Sequence, residues 1–204
     1  MPRGFEAGSA AVGVHGHLIV LAGGLRSLIP GVEGGQDTVD SVVAYDFRAD
    51  VWRMMPAQAR TLPEGRDHAG AAVVNGTLYI VGGRRRGQNN VRDTVFALDL
   101  TCMSTGWKVK AERMPTARGG LSAAAIGKTI YTFGGEGNPA QGSRGVFPQV
   151  EAYDTTADTW RKLSNMTTPR HGTYAVAVGG AVYIPGGGNQ QGAGPVSLHE
   201  AFYP

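Results

Sequence analysis

A single cysteine, Cys102, stands in 204 residues. One thiol excludes an internal disulfide and a zinc site built on cysteines. No run of 18 apolar residues occurs, so the sequence holds no candidate transmembrane helix. Met1–Val12 contains one arginine but no apolar core of signal-peptide length, and the compartment is left open. Excess charge is also scarce, with a net +3 and a pI near 9.2. The one dense basic run, Arg84-Arg85-Arg86, directly follows a glycine pair and reads as a surface loop. No aromatics are interleaved with it, so a nucleic-acid surface is not expected.

What the chain has in quantity is glycine, 32 residues, and these sit at fixed points of a repeat rather than in low-complexity tracts. The clearest unit is Arg118–Arg161. Leu121–Ile126 and Thr129–Phe133 are apolar runs of strand length joined by Gly127-Lys128, a hairpin signal. Gly134-Gly135 ends the second strand, Gln149–Tyr153 alternates polar and apolar residues, Asp154–Asp158 is a polar turn, and Trp160 opens a fourth strand. The glycine pair recurs at Gly23-Gly24, Gly82-Gly83 and Gly186-Gly187, in steps of 59, 52 and 52 residues. The third-strand pattern recurs as Ala44-Tyr45-Asp46 with Trp52, Ala97-Leu98-Asp99 with Trp107, and Ala152-Tyr153-Asp154 with Trp160. A fourth copy is Glu200-Ala201-Phe202-Tyr203. An arginine stands 13 residues before the second-strand tyrosine in three copies, as Arg66, Arg118 and Arg170.

A period near 50 with a double glycine, an aromatic-Asp step and a tryptophan resembles the kelch repeat. The wording of the loops is most similar to fungal galactose-oxidase-like kelch proteins. The resemblance implies an all-β kelch-type β-propeller over residues 1–204, with four-stranded antiparallel blades at approximately 7–55, 66–114, 118–166 and 170–204, the last lacking its fourth strand. One such sheet cannot bury both faces alone, so the blades must stack about an axis. Small residues on the inner strands, such as Ala123-Ala124-Ala125, fit a crowded centre. Asp46, Asp99 and Asp154 are placed to accept from turn amides, and the tryptophans to supply apolar area between blades. In blade one the hairpin turn reads as His15-Gly16, one residue out of register, and the connection Leu25–Thr38 reads as long and Gly-rich. Kelch propellers of this type usually have six or seven blades. Four blades ending on a third strand suggest an incomplete propeller whose open ends self-associate, and a four-bladed ring is the rival.

The connections before the first and after the second strand of each blade should open on one rim. The candidate ligand-binding residues there are Arg66, His68, Arg118, Arg170, His171, Asn138, Asn189 and Gln190, accompanied by Asp67, Arg84, Asn89, Asn90, Glu136 and Gln191. Guanidinium forks suit carboxylates and hydroxyl arrays. The competing reading is that each arginine bonds backbone carbonyls between blades. The resemblance to galactose oxidase would require a copper site of two His and two Tyr, one Tyr cross-linked to Cys. Cys102 falls in an outer turn and no such set is visible, so no cofactor and no metal are expected. A Ser-His-Asp group or a spaced carboxylate pair is not evident in the sequence either, although His68 could serve as an acid or base at the rim. Two functions remain. One is a binding module for a protein or a polar or acidic ligand. The other is a secreted carbohydrate-binding or carbohydrate-active propeller without the copper site.

Overall fold

The structure, a computed structural model, describes residues 1–28 and 36–204. Half of the long connection read at Leu25–Thr38 therefore lies outside the described residues. The first blade is β1 (Ala11–His15), β2 (Leu18–Leu28), β3 (Gln36–Asp46) and β4 (Val51–Met54), paired in that order. The second is β5 (Gly70–Val74), β6 (Thr77–Val81), β7 (Val95–Asp99) and β8 (Lys108–Val109). The third is β9 (Ser122–Ile126), β10 (Thr129–Phe133), β11 (Val150–Asp154) and β12 (Thr159–Lys162). In the fourth, β13 (Val176–Val178) and β14 (Ala181–Pro185) pair with β17 (His199–Phe202), giving three strands. A small hairpin, β15 (Gly188–Gln190) and β16 (Ala193–Pro195), stands in the connection between β14 and β17. All pairings are antiparallel. The chain is thus a meander of four propeller blades.

Local chemistry sets this pattern. The inner hairpins turn on Gly16-His17, Asn75-Gly76, Gly127-Lys128 and Gly179-Gly180, between His15 and Leu18, Val74 and Thr77, Ile126 and Thr129, and Val178 and Ala181. Blade one is therefore in register with the others. The turn is not His15-Gly16, because its first position requires positive φ and Gly16 supplies it at 58°. Asp46, Asp99 and Asp154 each accept two turn amides, from Arg48 and Ala49, Thr101 and Cys102, and Thr156 and Ala157. These bonds close the outer turns. Trp52 and Trp160 pack on the tyrosine directly opposite, Tyr45 at 5.1 Å and Tyr153 at 4.9 Å between ring centroids. Their first role is a cross-strand pair within the blade. Trp160 and Trp107 also border the apolar cores between blades.

Those cores are three, one per blade junction. Blades one and two enclose Val20, Val42, Leu62, Leu78, Ile80 and Phe96. Blades two and three enclose Tyr79, Val81, Met114, Leu121, Ile130 and Tyr153. Blades three and four enclose Tyr131, Phe133, Val150, Val182 and Ile184. Inner strands pack in the series β1, β5, β9, β13. The side of β1 turned away from blade two exposes Val12 and Val14. The side of β13 turned away from blade three exposes Val176 and Val178, which are 53% and 59% accessible.

Two backbone devices lock each blade to the next. The amide of the second glycine in a pair donates across the junction: Gly24 to the Arg66 carbonyl at 2.7 Å, Gly83 to Arg118 at 2.9 Å, and Gly135 to Arg170 at 2.8 Å. Nearer the axis runs a stair of single bonds. His68 N–H donates to the Ser9 carbonyl, Gly120 N–H to that of His68, and Gly172 N–H to that of Gly120, at 3.1, 2.8 and 2.9 Å. Ser9, His68, Gly120 and Gly172 occupy one repeat position, and all four have positive φ.

Candidate functional site

The repeated arginines are built into the blades. Arg66, Arg118 and Arg170 are 1%, 0% and 1% exposed. Arg118 donates to the Gly134 carbonyl at 2.6 Å, to Thr132 Oγ1 at 2.9 Å and to Glu151 at 2.5 Å. Arg66 donates to the Gly82 carbonyl at 2.6 Å and to Glu64 and Thr94 at 2.8 Å. Arg170 reaches Glu200 and the Ile184 carbonyl. Each side chain thus ties the entry loop of a blade to that blade's own second and third strands, while its backbone carbonyl receives the neighbouring blade. The partner at the third-strand position varies. Glu151 and Glu200 fill it in blades three and four, whereas blade two has Phe96, over whose ring the Arg66 guanidinium lies at 4.8 Å. Burial pushes Arg66 down to about 10, against the pull of Glu64. Burial also lowers Arg118, against the charge of Glu151. Arg66 therefore remains a cation at neutral pH.

A second polar cluster lies between the blades on the same rim. It forms at paired bridge positions, Asp67 with Arg84 and Gly119 with Glu136. Arg84 donates from Nε to Asp67 at 2.9 Å and from its terminal nitrogens to Glu136 and to His68 Nε2, the last at 3.1 Å. Thr38 donates to the other oxygen of Asp67. Burial would raise the Asp67 carboxyl, but the bonds from His68, Thr38 and Arg84 outweigh it and hold it below the usual carboxylate range. His171 lies with Nδ1 at 3.4 Å from Glu136 and Nε2 at 2.8 Å from the Gln190 carbonyl. Both of its nitrogens therefore face acceptors.

Among the expected residues, His68 lines an axial cavity of about 210 Å³ with Ser9, Ala10, Ala69, Gly120, Leu121, Gly172, Thr173 and Tyr174. Asn138 and Asn189 meet elsewhere, in a cleft of about 410 Å³ with Gln141 and Arg144. Gln190 accepts from Arg144 at 3.2 Å. The β15–β16 hairpin carries these contacts inward. Gln191 donates to Asn89 in blade two at 2.8 Å, and Gly192 N–H donates to Glu136 at 3.0 Å. Sequence reasoning missed one grouping. Ser9 Oγ lies 3.1 Å from His68 Nε2, and His68 Nδ1 lies 2.7 Å from Asp67. The available signal was register, since Ser9 and His68 share a repeat position. Among the described residues no group of three or more His, Cys, Asp or Glu is arranged to hold a metal ion.

The profile described as the KLHDC2/KLHL20/DRC7 Kelch-repeats domain matches residues 8–200. The chain belongs to the kelch-repeat family. This kelch chain is 41% identical over its whole length to Kelch-like protein terF of Aspergillus terreus, and it spans 43% of that protein's length. It is 34% identical to the N-acetylneuraminate epimerase of Vibrio cholerae over 110 residues, 53% of this chain and 27% of that one. Against human Kelch-like protein 34 it is 32% identical over 151 residues, 74% of this chain and 22% of that one. Kelch propellers are typically protein-interaction modules, and the fold of this chain is theirs.

Proposed function

We propose that the chain is a kelch binding module whose rim receives a segment of another protein presenting carboxylate or amide groups. The observation that carries the reading is convergence. The connections after the second strands of blades two, three and four meet over the rim through Gln191–Asn89, Arg144–Gln190 and Gly192–Glu136. This gathers Asn138, Asn189 and the exposed Arg144 around one cleft, with Gln190 bonded to Arg144. His171 holds the Gln190 carbonyl at 2.8 Å, and His68 lines the separate axial cavity. From beneath, Arg66 and Arg118 hold the Gly82 and Gly134 carbonyls of the glycine pairs from which the connections spring, and Arg170 holds the Ile184 carbonyl. A peptide array titrated with the chain tests this. Acidic peptides should bind more tightly than neutral or basic ones, with affinity falling as salt rises. Asn189→Ala should cost about 1 kcal/mol of binding through one lost hydrogen bond. Equal retention of all peptide classes would remove the reading.

A carboxylated sugar is a second reading. It is supported by the stretch shared with the V. cholerae epimerase, and titration with N-acetylneuraminate separates it from the first. We further propose that the chain self-associates head to tail. At each internal junction, the equivalent of the face that β13 exposes packs against the equivalent of the face that β1 exposes, so a second copy can repeat that contact.

A further inference from the structure

Ser9 and His68 hold a position that the next two blades give to Gly120 and Gly172, with φ of 54°, 52°, 62° and 65°. That conformation strains a residue with a Cβ, and such strain collects at functional sites. The two side chains placed there touch each other at 3.1 Å, and the imidazole rests on Asp67, which is fully buried. Partners fix the tautomer. The Asp67 carboxylate only accepts, so His68 Nδ1 carries the proton. Arg84 only donates, so Nε2 keeps its lone pair, which Arg84 and the Ser9 hydroxyl share at 3.1 Å each. We propose that Ser9 is the nucleophile of a hydrolytic site for small esters, with His68 as its general base and Asp67 as the residue that orients His68.

The Ser9 Oγ forms a bond to the ester carbonyl carbon as its proton passes to His68 Nε2. The tetrahedral oxyanion collapses, the C–O bond breaks, and the leaving alkoxide takes the proton from Nε2 and departs as the alcohol. Water then adds to the acyl-serine with the same base, and the carboxylic acid leaves as the proton returns to Ser9 Oγ. No oxidant or metal is consumed. Arg84 shares Nε2 with Ser9 in the resting state. Protonation of Nε2 breaks that guanidinium hydrogen bond, and Arg84 keeps its pairs with Asp67 and Glu136. The cavity is about 210 Å³ and is walled by Ala10, Ala69, Gly120 and Leu121, which suits a short acyl chain.

The proposal concerns the axial cavity and does not rest on the binding reading of the outer cleft. Its test is reaction of the chain with a fluorophosphonate probe and mapping of the adduct by mass spectrometry, beside Ser9→Gly and His68→Gly. Glycine is what blades three and four use at this position, so both variants should keep the fold, which thermal melting checks. If His68→Gly melts early, His68→Gln replaces it. The expected result is an adduct on Ser9, absent in Ser9→Gly and formed at least tenfold more slowly without the imidazole. Hydrolysis of p-nitrophenyl acetate should be lost in parallel. No adduct on Ser9, or one that forms as fast without His68, overturns the proposal.

Discussion

The three repeated arginines are buried, and they differ in what their loss leaves behind. Removing Arg118 abandons Glu151, which is itself fully buried, along with the Gly134 carbonyl. Arg118→Ala should therefore destabilise the chain by about 3–5 kcal/mol, the cost of breaking a buried pair from one side. Arg66→Ala should cost less. Glu64 is partly exposed and keeps Arg92 and Arg85 as partners. Urea denaturation of the two variants checks the order. Acid should act through Asp67 and Glu64. Both carboxyls are held below their ordinary values, against burial, by the cations and donors around them. Their stabilisation is thus fully present above the unfolded pKa, about 4, and is lost as the pH falls through the lower folded values. Melting temperatures measured from neutral pH down to about 2.5 should fall in that window, and Asp67→Asn should flatten the fall.

At the scale of the element, the glycine pair is where one blade receives the next. A Cβ on Gly134 would collide with the Arg170 carbonyl oxygen, whereas the nearest atom to one on Gly186 is the Val196 carbonyl oxygen at 3.4 Å. Both have φ of 57°. Gly186→Ala should cost about 1–2 kcal/mol from the left-handed conformation alone. Gly134→Ala should cost roughly 1–3 kcal/mol more, because it also forces the blades apart. Such pairs were legible in the sequence because a backbone requirement admits one residue type and repeats. The strand pattern was legible for the same reason, with Thr129–Phe133 read to the residue. Legibility failed where geometry is long-range. Nothing in Gly188–Pro195 distinguishes a hairpin from an open loop until its contacts with Arg144 and Asn89 are seen. The bond from Ser9 to His68 joins residues 59 apart in sequence. The arginines were legible as a repeated feature, but their depth depends on Glu151, Glu200 and Phe96, which are not alike.

For the whole molecule, the proposed self-association turns on the exposed flanks. Val12 and Val14 on one side and Val176, Val178 and Tyr174 on the other leave apolar surface that the internal junctions bury. Light scattering after size exclusion should give a mass that rises with concentration, and Val176→Lys should return it toward the monomer. A parent chain that stays monomeric at every concentration, with a single cooperative melt, would exclude head-to-tail contact. The stair of amide-to-carbonyl bonds from Ser9 through His68 and Gly120 to Gly172 has a different bearing. Because the main chain alone makes each step, the stair itself does not depend on which side chain, if any, stands at those four places. The side chains there resemble interchangeable bits in a fixed chuck. The axial mouth can be re-equipped for a new task by single substitutions among residues that accept the left-handed turn, and the blades beneath need not change to accommodate them.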